Sequence, residues 1–145
     1  MKKSLIALVV LSLSATAYAN EWKTIDTGTV GVTSDNSGAQ LELTTVVSEK
    51  NDRGLAFYYY PANQPARCDF AQDVYKSYVV NGQEIAFKKF CMEGKQNTAY
   101  TPVDYTSASK LVAQLVRPEY SVVNFDGQTF STVGFGQQVE KLLAD

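Results

Sequence analysis

Two cysteines, Cys68 and Cys91, carry the chemistry that is most directly inferred from this sequence. They lie 23 positions apart, and this spacing does not fit the C-x-x-C arrangement of a redox-active pair. An even pair of cysteines in an exported chain is typical of a structural disulfide. We therefore predict a Cys68–Cys91 bridge, which should stabilise the fold by about 3 kcal/mol through the loop that it closes.

Histidine is absent from all 145 residues, and its absence removes large classes of catalysis. Without imidazole there is no Ser-His or Cys-His nucleophile pair, no His-ligated zinc and no histidine acid–base pair. The nucleophile-elbow pattern G-x-S-x-G and the phosphate-loop pattern G-x-x-x-x-G-K-[ST] do not occur either. We therefore predict no catalytic residues, no metal site and no cofactor.

The aromatic run Phe57-Tyr58-Tyr59-Tyr60 is the candidate for molecular recognition. In a strand, Phe57 and Tyr59 point to one face, and Tyr58 and Tyr60 point to the other. One pair is expected in the core. The other pair, Tyr58 and Tyr60, is the candidate binding surface, because Tyr is enriched in binding hot spots. Packing of these two side chains in the core or across strands is the other interpretation, and the sequence favours it over the binding surface.

The elements that must position these residues are mostly strands, since the dominant periodicity along the chain is two. Apolar and polar residues alternate over positions 40–47 and 84–91, and an aromatic strand is predicted over 55–60. Asn81-Gly82 and Asp126-Gly127 each join two such runs, and both dipeptides favour the type I′ turn of a β-hairpin. The sequence therefore predicts about six to eight short antiparallel strands.

Two segments depart from this periodicity and predict short helices. Over residues 107–115 the spacing of Leu111 and Leu115 is helical, and Ser107 is the predicted N-cap. Over residues 137–144 the apolar side chains share one helical face; they are Phe135, Val139, Leu142 and Leu143. The expected fold is mainly β: a single-domain antiparallel β-sandwich or barrel-like fold with one or two short helices, one of them C-terminal.

The first 19 residues have the pattern of a secretory signal peptide. Lys2 and Lys3 give a positive start, residues 5–11 form a short apolar run, and Ala17-Tyr18-Ala19 fits the cleavage site. A membrane-spanning helix needs about 20 apolar residues, and this run is shorter. We predict cleavage after Ala19, leaving residues 20–145 as one β-rich domain that is periplasmic or secreted and has no integral membrane segment.

Removal of this leader makes the chain more acidic. Lys2 and Lys3 leave while the 15 acidic residues remain, so the formal charge falls from −2 to −4. This balance gives no reason to expect nucleic acid as a partner. It favours another protein, and a basic one, because opposite charges on two surfaces complement each other.

The second half of the chain resembles a known family. Residues 85–94, IAFKKFCMEG, are similar to the apolar-x-F-x-x-C-x-x-G segment of the invasion-associated locus B proteins. The run FSTVGF at 130–135, followed by VEKLL at 139–143, is similar to that family's S-x-x-G-F strand end and closing helix, and Trp22-Lys23 is similar to its opening segment. The resemblance covers residues 82–144. It implies an exported β-sandwich protein, in some members associated with host-cell invasion, and carries over no catalytic residue.

The sequence thus predicts a small, exported, non-enzymatic binding or interaction protein of the bacterial envelope. One alternative is a periplasmic inhibitor of a basic enzyme such as lysozyme, since the acidic charge would complement that enzyme. The other is a small hydrolase that uses carboxylates or a Ser-Lys pair. The residue pattern does not define the oligomeric state.

Overall fold

The computed structural model describes residues 21–47, 49–63, 68–69, 73–91, 98–117, 119 and 121–144. The predicted signal peptide and its cleavage site after Ala19 lie outside the described residues. Within the described ranges the chain forms nine strands and two helices: β1 Lys23–Asp26, β2 Thr29–Thr33, β3 Gln40–Val47, β4 Arg53–Tyr60, β5 Tyr75–Val80, β6 Gln83–Cys91, β7 Thr98–Pro102, α1 Tyr105–Leu115, β8 Val122–Phe125, β9 Gln128–Ser131 and α2 Phe135–Ala144.

The strands form one antiparallel sheet in the order β1-β2-β3-β4-β7-β6-β5-β8-β9. Its β3–β4 ladder extends from Gln40 opposite Tyr60 to Val47 opposite Arg53. The predicted mainly β, antiparallel fold with two short helices, one of them C-terminal, is confirmed. Over the residues described, the sheet is not closed into a barrel.

The sheet is strongly curled, so that strands distant in its order face one another. Tyr59 on β4 contacts Phe125 on β8 and Phe130 on β9, with ring centroids 4.5 and 6.5 Å apart. Just after β2, the backbone N–H of Asp35 donates to the carbonyl of Thr129 on β9 at 2.9 Å. We call the side that encloses the core the inner face and the opposite side the outer face. The curl gives the sheet a sandwich-like arrangement around one core.

Both predicted hairpin turns are confirmed by their backbone geometry. Asn81 and Gly82 have φ angles of 49° and 80°, and Asp126 and Gly127 have φ angles of 51° and 78°. A type I′ turn requires φ > 0 at both central positions, which Asn, Asp and Gly adopt more readily than other residues. These two turns set the register of β5 with β6 and of β8 with β9.

Both predicted helices are confirmed, but the N-cap of α1 differs from the prediction. Asp104, not Ser107, is the cap, and its carboxylate accepts a hydrogen bond from the backbone N–H of Ser107 at 2.8 Å. This hydrogen bond lowers the pKa of the Asp104 carboxyl. Ser107 is instead a buried residue of the first turn. Neither helix in the described part of the chain has the length and apolar character needed to cross a membrane.

The core inside the curled sheet is largely aromatic. Phe87, Phe125 and Phe130 are fully buried, and they contact one another across three strands. The helices add Leu111 from α1 and Phe135 from α2 to the same cluster. Both helices are therefore anchored on the inner face of the sheet.

Trp22 joins the N-terminal segment to the end of the sheet. Its indole N–H donates to the carbonyl of Ser131 at 2.9 Å, and its backbone N–H donates to the carbonyl of Val133 at 3.0 Å. Its ring packs edge-on against Phe135, with centroids 4.9 Å apart. Gly134 makes this approach possible, because its φ is 81° and a Cβ there would lie 3.2 Å from the Trp22 carbonyl.

Candidate functional site

The candidate site is a groove between the two helices, and its floor is the inner face of β3 and β4. Leu43 lies opposite Phe57, and further along the same ladder Val47 lies opposite Arg53, with Leu55 between Phe57 and Arg53. Leu43 and Phe57 are buried, whereas Leu55 is 36% exposed and Val47 is 63% exposed. The inner face therefore emerges from beneath the helices at these strand ends and leaves apolar side chains uncovered.

Helix α1 forms one wall of the groove because it carries two different apolar faces. One face packs on the sheet through the buried Leu111 and Leu115. The second face lines the groove with Tyr105, Ala108, Ser109, Val112, Ala113 and Val116. Residues three or four positions apart lie on the same side of a helix, so this second set forms a continuous stripe. Tyr105, at one end of the stripe, is 87% exposed.

Helix α2 forms the opposite wall through Phe135, Gly136 and Val139. Its sequence pattern places Leu143 on the same face as Leu142, but only Leu142 is buried, and Leu143 is 68% exposed. Successive residues of an α-helix are rotated by about 100°, so a helix that turns Leu142 toward the core turns Leu143 away from it. Both leucines line a side cavity that adjoins the groove.

The groove has a volume of about 600 Å³, and the side cavity adds about 290 Å³. Leu55 lines both, so the two are adjacent. The described residues that line the groove carry no charge, and their polar side chains are the hydroxyls of Tyr105 and Ser109. The side cavity adds the hydroxyls of Thr27 and Thr45, and Arg53 is the charged residue among the described residues that line it. The site is thus a mostly apolar groove beside a cavity whose lining includes Arg53.

The outer face carries the two tyrosines singled out by the sequence. Tyr58 is half-buried and Tyr60 is 7% exposed, and their ring centroids are 6.5 Å apart. The Tyr58 ring also lies 5.4 Å from that of Phe90 on β6. The contact of Tyr58 with Phe90 is the cross-strand packing that the sequence left open as an alternative. Phe90 is an exposed aromatic side chain in contact with Tyr58, and Tyr75, on β5, is exposed further along the same face. Whether the pair binds a partner stays a prediction.

Burial changes the acidity of several tyrosines. Desolvation raises the pKa values of Tyr58, Tyr59, Tyr60 and Tyr78 above the ordinary value of 10.0. At Tyr59 the amide of Gln128 donates to the phenol oxygen at 2.7 Å, which partly opposes the rise in pKa. At Tyr60 the neighbouring Glu42 carboxylate adds to the rise.

We expect the protein to lose stability from about pH 10 upward. Because the pKa values of these tyrosines are raised in the folded state, the unfolded chain releases its phenol protons first as the pH rises. Their contribution to stability is therefore complete below about pH 10 and is lost above it. Denaturant unfolding between about pH 8 and pH 11 measures this loss. The variant Tyr78→Phe should show a shallower decline than the wild type, and equal slopes for the two proteins would contradict this assignment.

Cys68 and Cys91 form the predicted disulfide, with their Cα atoms 5.6 Å apart. Cys91 is the last residue of β6, so the bridge ties Cys68 and the neighbouring Asp69 to the end of that strand. No free cysteine is found in the described ranges. In the same ranges, no group of three or more Cys, Asp and Glu side chains is placed to hold a metal ion.

The residues that line the groove were not identified from the sequence as a site. Phe135 and Val139 belong to a helical pattern that predicts a core, whereas Tyr105 and Val116 belong to no predicted face. A signal was available: α1 has more apolar residues than one buried stripe of a helix requires.

Comparison with models of known protein families, with curated proteins and with solved structures finds no match to this chain.

Proposed function

We propose that the protein is an exported, non-enzymatic binding protein that holds an apolar ligand in the groove between α1 and α2. One observation carries this proposal. Eleven large hydrophobic side chains are exposed in the described part of the chain, and five of them line the groove or its side cavity. These five are Val47, Leu55, Tyr105, Val116 and Leu143. Scattered apolar residues on a surface need no explanation, whereas their convergence on one concavity is typical of a binding site.

The second apolar stripe of α1 supports the same proposal. A helix that only stabilises a fold needs one apolar face, and Leu111 and Leu115 already supply it. Val112, which is half-buried, and Val116, which is exposed, extend a second face over the groove, and a ligand there would bury both further. The volume of the groove also lies within the range of about 300–1,000 Å³ that is usual for small-molecule sites.

The proposal of export rests on the residues of the leader and is compatible with the disulfide. The pattern of Lys2, Lys3 and Ala17-Tyr18-Ala19 favours secretion and cleavage. A disulfide such as Cys68–Cys91 forms and persists in the periplasm or outside the cell, where thiols are oxidised. The resemblance to the invasion-associated locus B proteins points in the same direction.

Filling the groove is expected to abolish binding of an apolar fluorescent probe. Ala113 lines the groove and is exposed, so Ala113→Trp should occupy the groove and cost the helix less than about 0.7 kcal/mol in intrinsic propensity. The measurement is titration of the purified protein with the uncharged probe N-phenyl-1-naphthylamine, followed by its fluorescence. We expect saturable binding to the wild type and loss of at least tenfold in affinity in the variant.

Thr106→Trp is the matched control, because Thr106 is exposed on the same helix and does not line the groove. It should bind the probe as the wild type does. Thermal unfolding of both variants confirms that the fold is retained. Equal probe affinity in the wild type and Ala113→Trp would refute the groove as the binding site.

The outer face supports a second candidate function, the binding of a protein partner. Phe90 is exposed there beside Tyr58, Tyr75 is exposed on the same face, and aromatic side chains are enriched in protein interfaces. The acidic net charge favours a basic partner, of which lysozyme is one example. Ala113→Trp separates the two functions, because α1 packs on the inner face and the substitution should leave an outer-face partner bound.

A further inference from the structure

We propose that the ligand of the groove is a long-chain carboxylate whose alkyl chain lies along β3 and β4 and whose carboxylate meets Arg53. This proposal rests on the proposed function, since it names the chemical class of the apolar ligand. It also assigns a role in recognition to Arg53, which no pattern in the sequence indicated.

The placement of Arg53 is the first argument. Arg53, Leu55 and Phe57 alternate along β4 and therefore point to the same inner face. Four residue steps separate Phe57 from Arg53, which is about 13 Å of strand. Beside these residues, Leu55 lines both the groove and the side cavity, and Arg53 is the charged residue among the described residues that line them. Two adjacent, mostly apolar cavities with one cation in their lining match an alkyl chain that ends in one anion.

The scarcity of polar groups in the groove is the second argument. A bound peptide would bring backbone N–H and C=O groups, and these need hydrogen-bond partners when they are buried. The described lining offers side-chain hydroxyls from Tyr105 and Ser109 in the groove and from Thr27 and Thr45 in the side cavity. An alkyl chain needs no hydrogen bonds, so this lining favours an acyl chain over a peptide.

The chemistry of the guanidinium is the third argument. Arginine has five N–H donors in a planar fork that fits a carboxylate with two parallel hydrogen bonds. Arg53 already has an interaction within the protein, and a guanidinium can serve more than one acceptor because its five donors point in several directions. Asp and Glu are absent from the described lining of both cavities, so no acidic side chain there repels the ligand.

The test is displacement of bound N-phenyl-1-naphthylamine by a series of straight-chain carboxylates and the alcohols of the same length. From octanoate to dodecanoate, affinity should rise about three- to fourfold for each added methylene, as expected when each methylene is buried. Dodecanoate should bind more tightly than dodecanol. The substitution Arg53→Gln should weaken dodecanoate about three- to fivefold and leave dodecanol unchanged, because Arg53 is exposed and its ion pair is correspondingly modest.

Lys141→Gln is the matched control, because Lys141 lies on α2 beside Leu142 and lines neither cavity. The substitution removes one positive charge, as Arg53→Gln does, and should change neither the affinity for dodecanoate nor the affinity for dodecanol. Equal weakening by Arg53→Gln and Lys141→Gln, or equal affinity for acid and alcohol in the wild type, would overturn the role of Arg53.

Further outcomes distinguish this inference from the function on which it rests. If the probe binds and Ala113→Trp blocks it, but no carboxylate displaces it, the acyl ligand is wrong and the binding groove stands. If probe binding falls as protein concentration rises and sedimentation detects a dimer, a second copy of the chain covers the groove and the inference is refuted. If the probe does not bind the wild type, both proposals fail.

Discussion

Replacing Phe125 by Ala should destabilise the protein by about 3–5 kcal/mol, the largest loss expected of a single core substitution here. Phe125 is fully buried and lies at the meeting point of the two halves of the curled sheet. Its ring contacts Tyr59, Tyr78 and Phe87 at centroid distances of 4.5, 5.2 and 5.6 Å. Removal of the ring leaves a cavity that these rigid neighbours cannot fill, so the loss of burial and the cavity both contribute.

Equilibrium unfolding in urea measures this loss. The matched control is Tyr75→Ala, which removes an aromatic ring that is exposed on the outer face and should change stability by no more than about 0.5 kcal/mol. Comparable losses in the two variants would contradict the placement of Phe125 at the centre of the core.

Removing the Cys68–Cys91 bridge should cost about 3 kcal/mol of stability. The bridge closes a loop with a sequence separation of 23 and restricts the unfolded chain more than the folded one. The double variant Cys68→Ala/Cys91→Ala avoids leaving a single reactive thiol. Its urea midpoint should fall, and the slope of the transition should rise, because the unfolded chain without the bridge exposes more surface.

The wild type unfolded under reducing conditions is the control for this variant, because it loses the bridge and keeps both sulfur atoms. Its stability should equal that of the double variant. Two thiols that react with a labelling reagent in native, unreduced protein would show that the bridge is not formed and would contradict this prediction.

The hairpins could be predicted from sequence because their signals are local. Asn81-Gly82 and Asp126-Gly127 adopt φ > 0 as each dipeptide favours on its own. The N-cap of α1 was missed for a local reason too. Asp104 and Ser107 both have capping side chains, and the helical spacing of the leucines did not determine which of them lies outside the helix.

The groove could not be predicted, because it depends on contacts that are distant in sequence. The sequence periodicity of α1 does not determine whether another element covers Val112 or leaves it lining an open groove. That outcome depends on where α2 docks, and Trp22 and Phe57 position α2 through their contacts with Phe135. Likewise, the curl that brings Tyr59 onto Phe125 follows from the packing of the whole sheet, and no single segment encodes it.

The docking of Trp22 has a consequence for how the molecule can be observed and how it completes its fold. Trp22 is the single tryptophan of the chain, and its hydrogen-bond partner Ser131 lies 109 positions later. A ribosome or a translocation pore therefore releases Trp22 long before its binding place exists, and we expect this contact, which spans most of the chain, to form late in folding. The intrinsic indole fluorescence reports the docking of Trp22 directly, so a stopped-flow trace at the tryptophan emission times this long-range step without any added label.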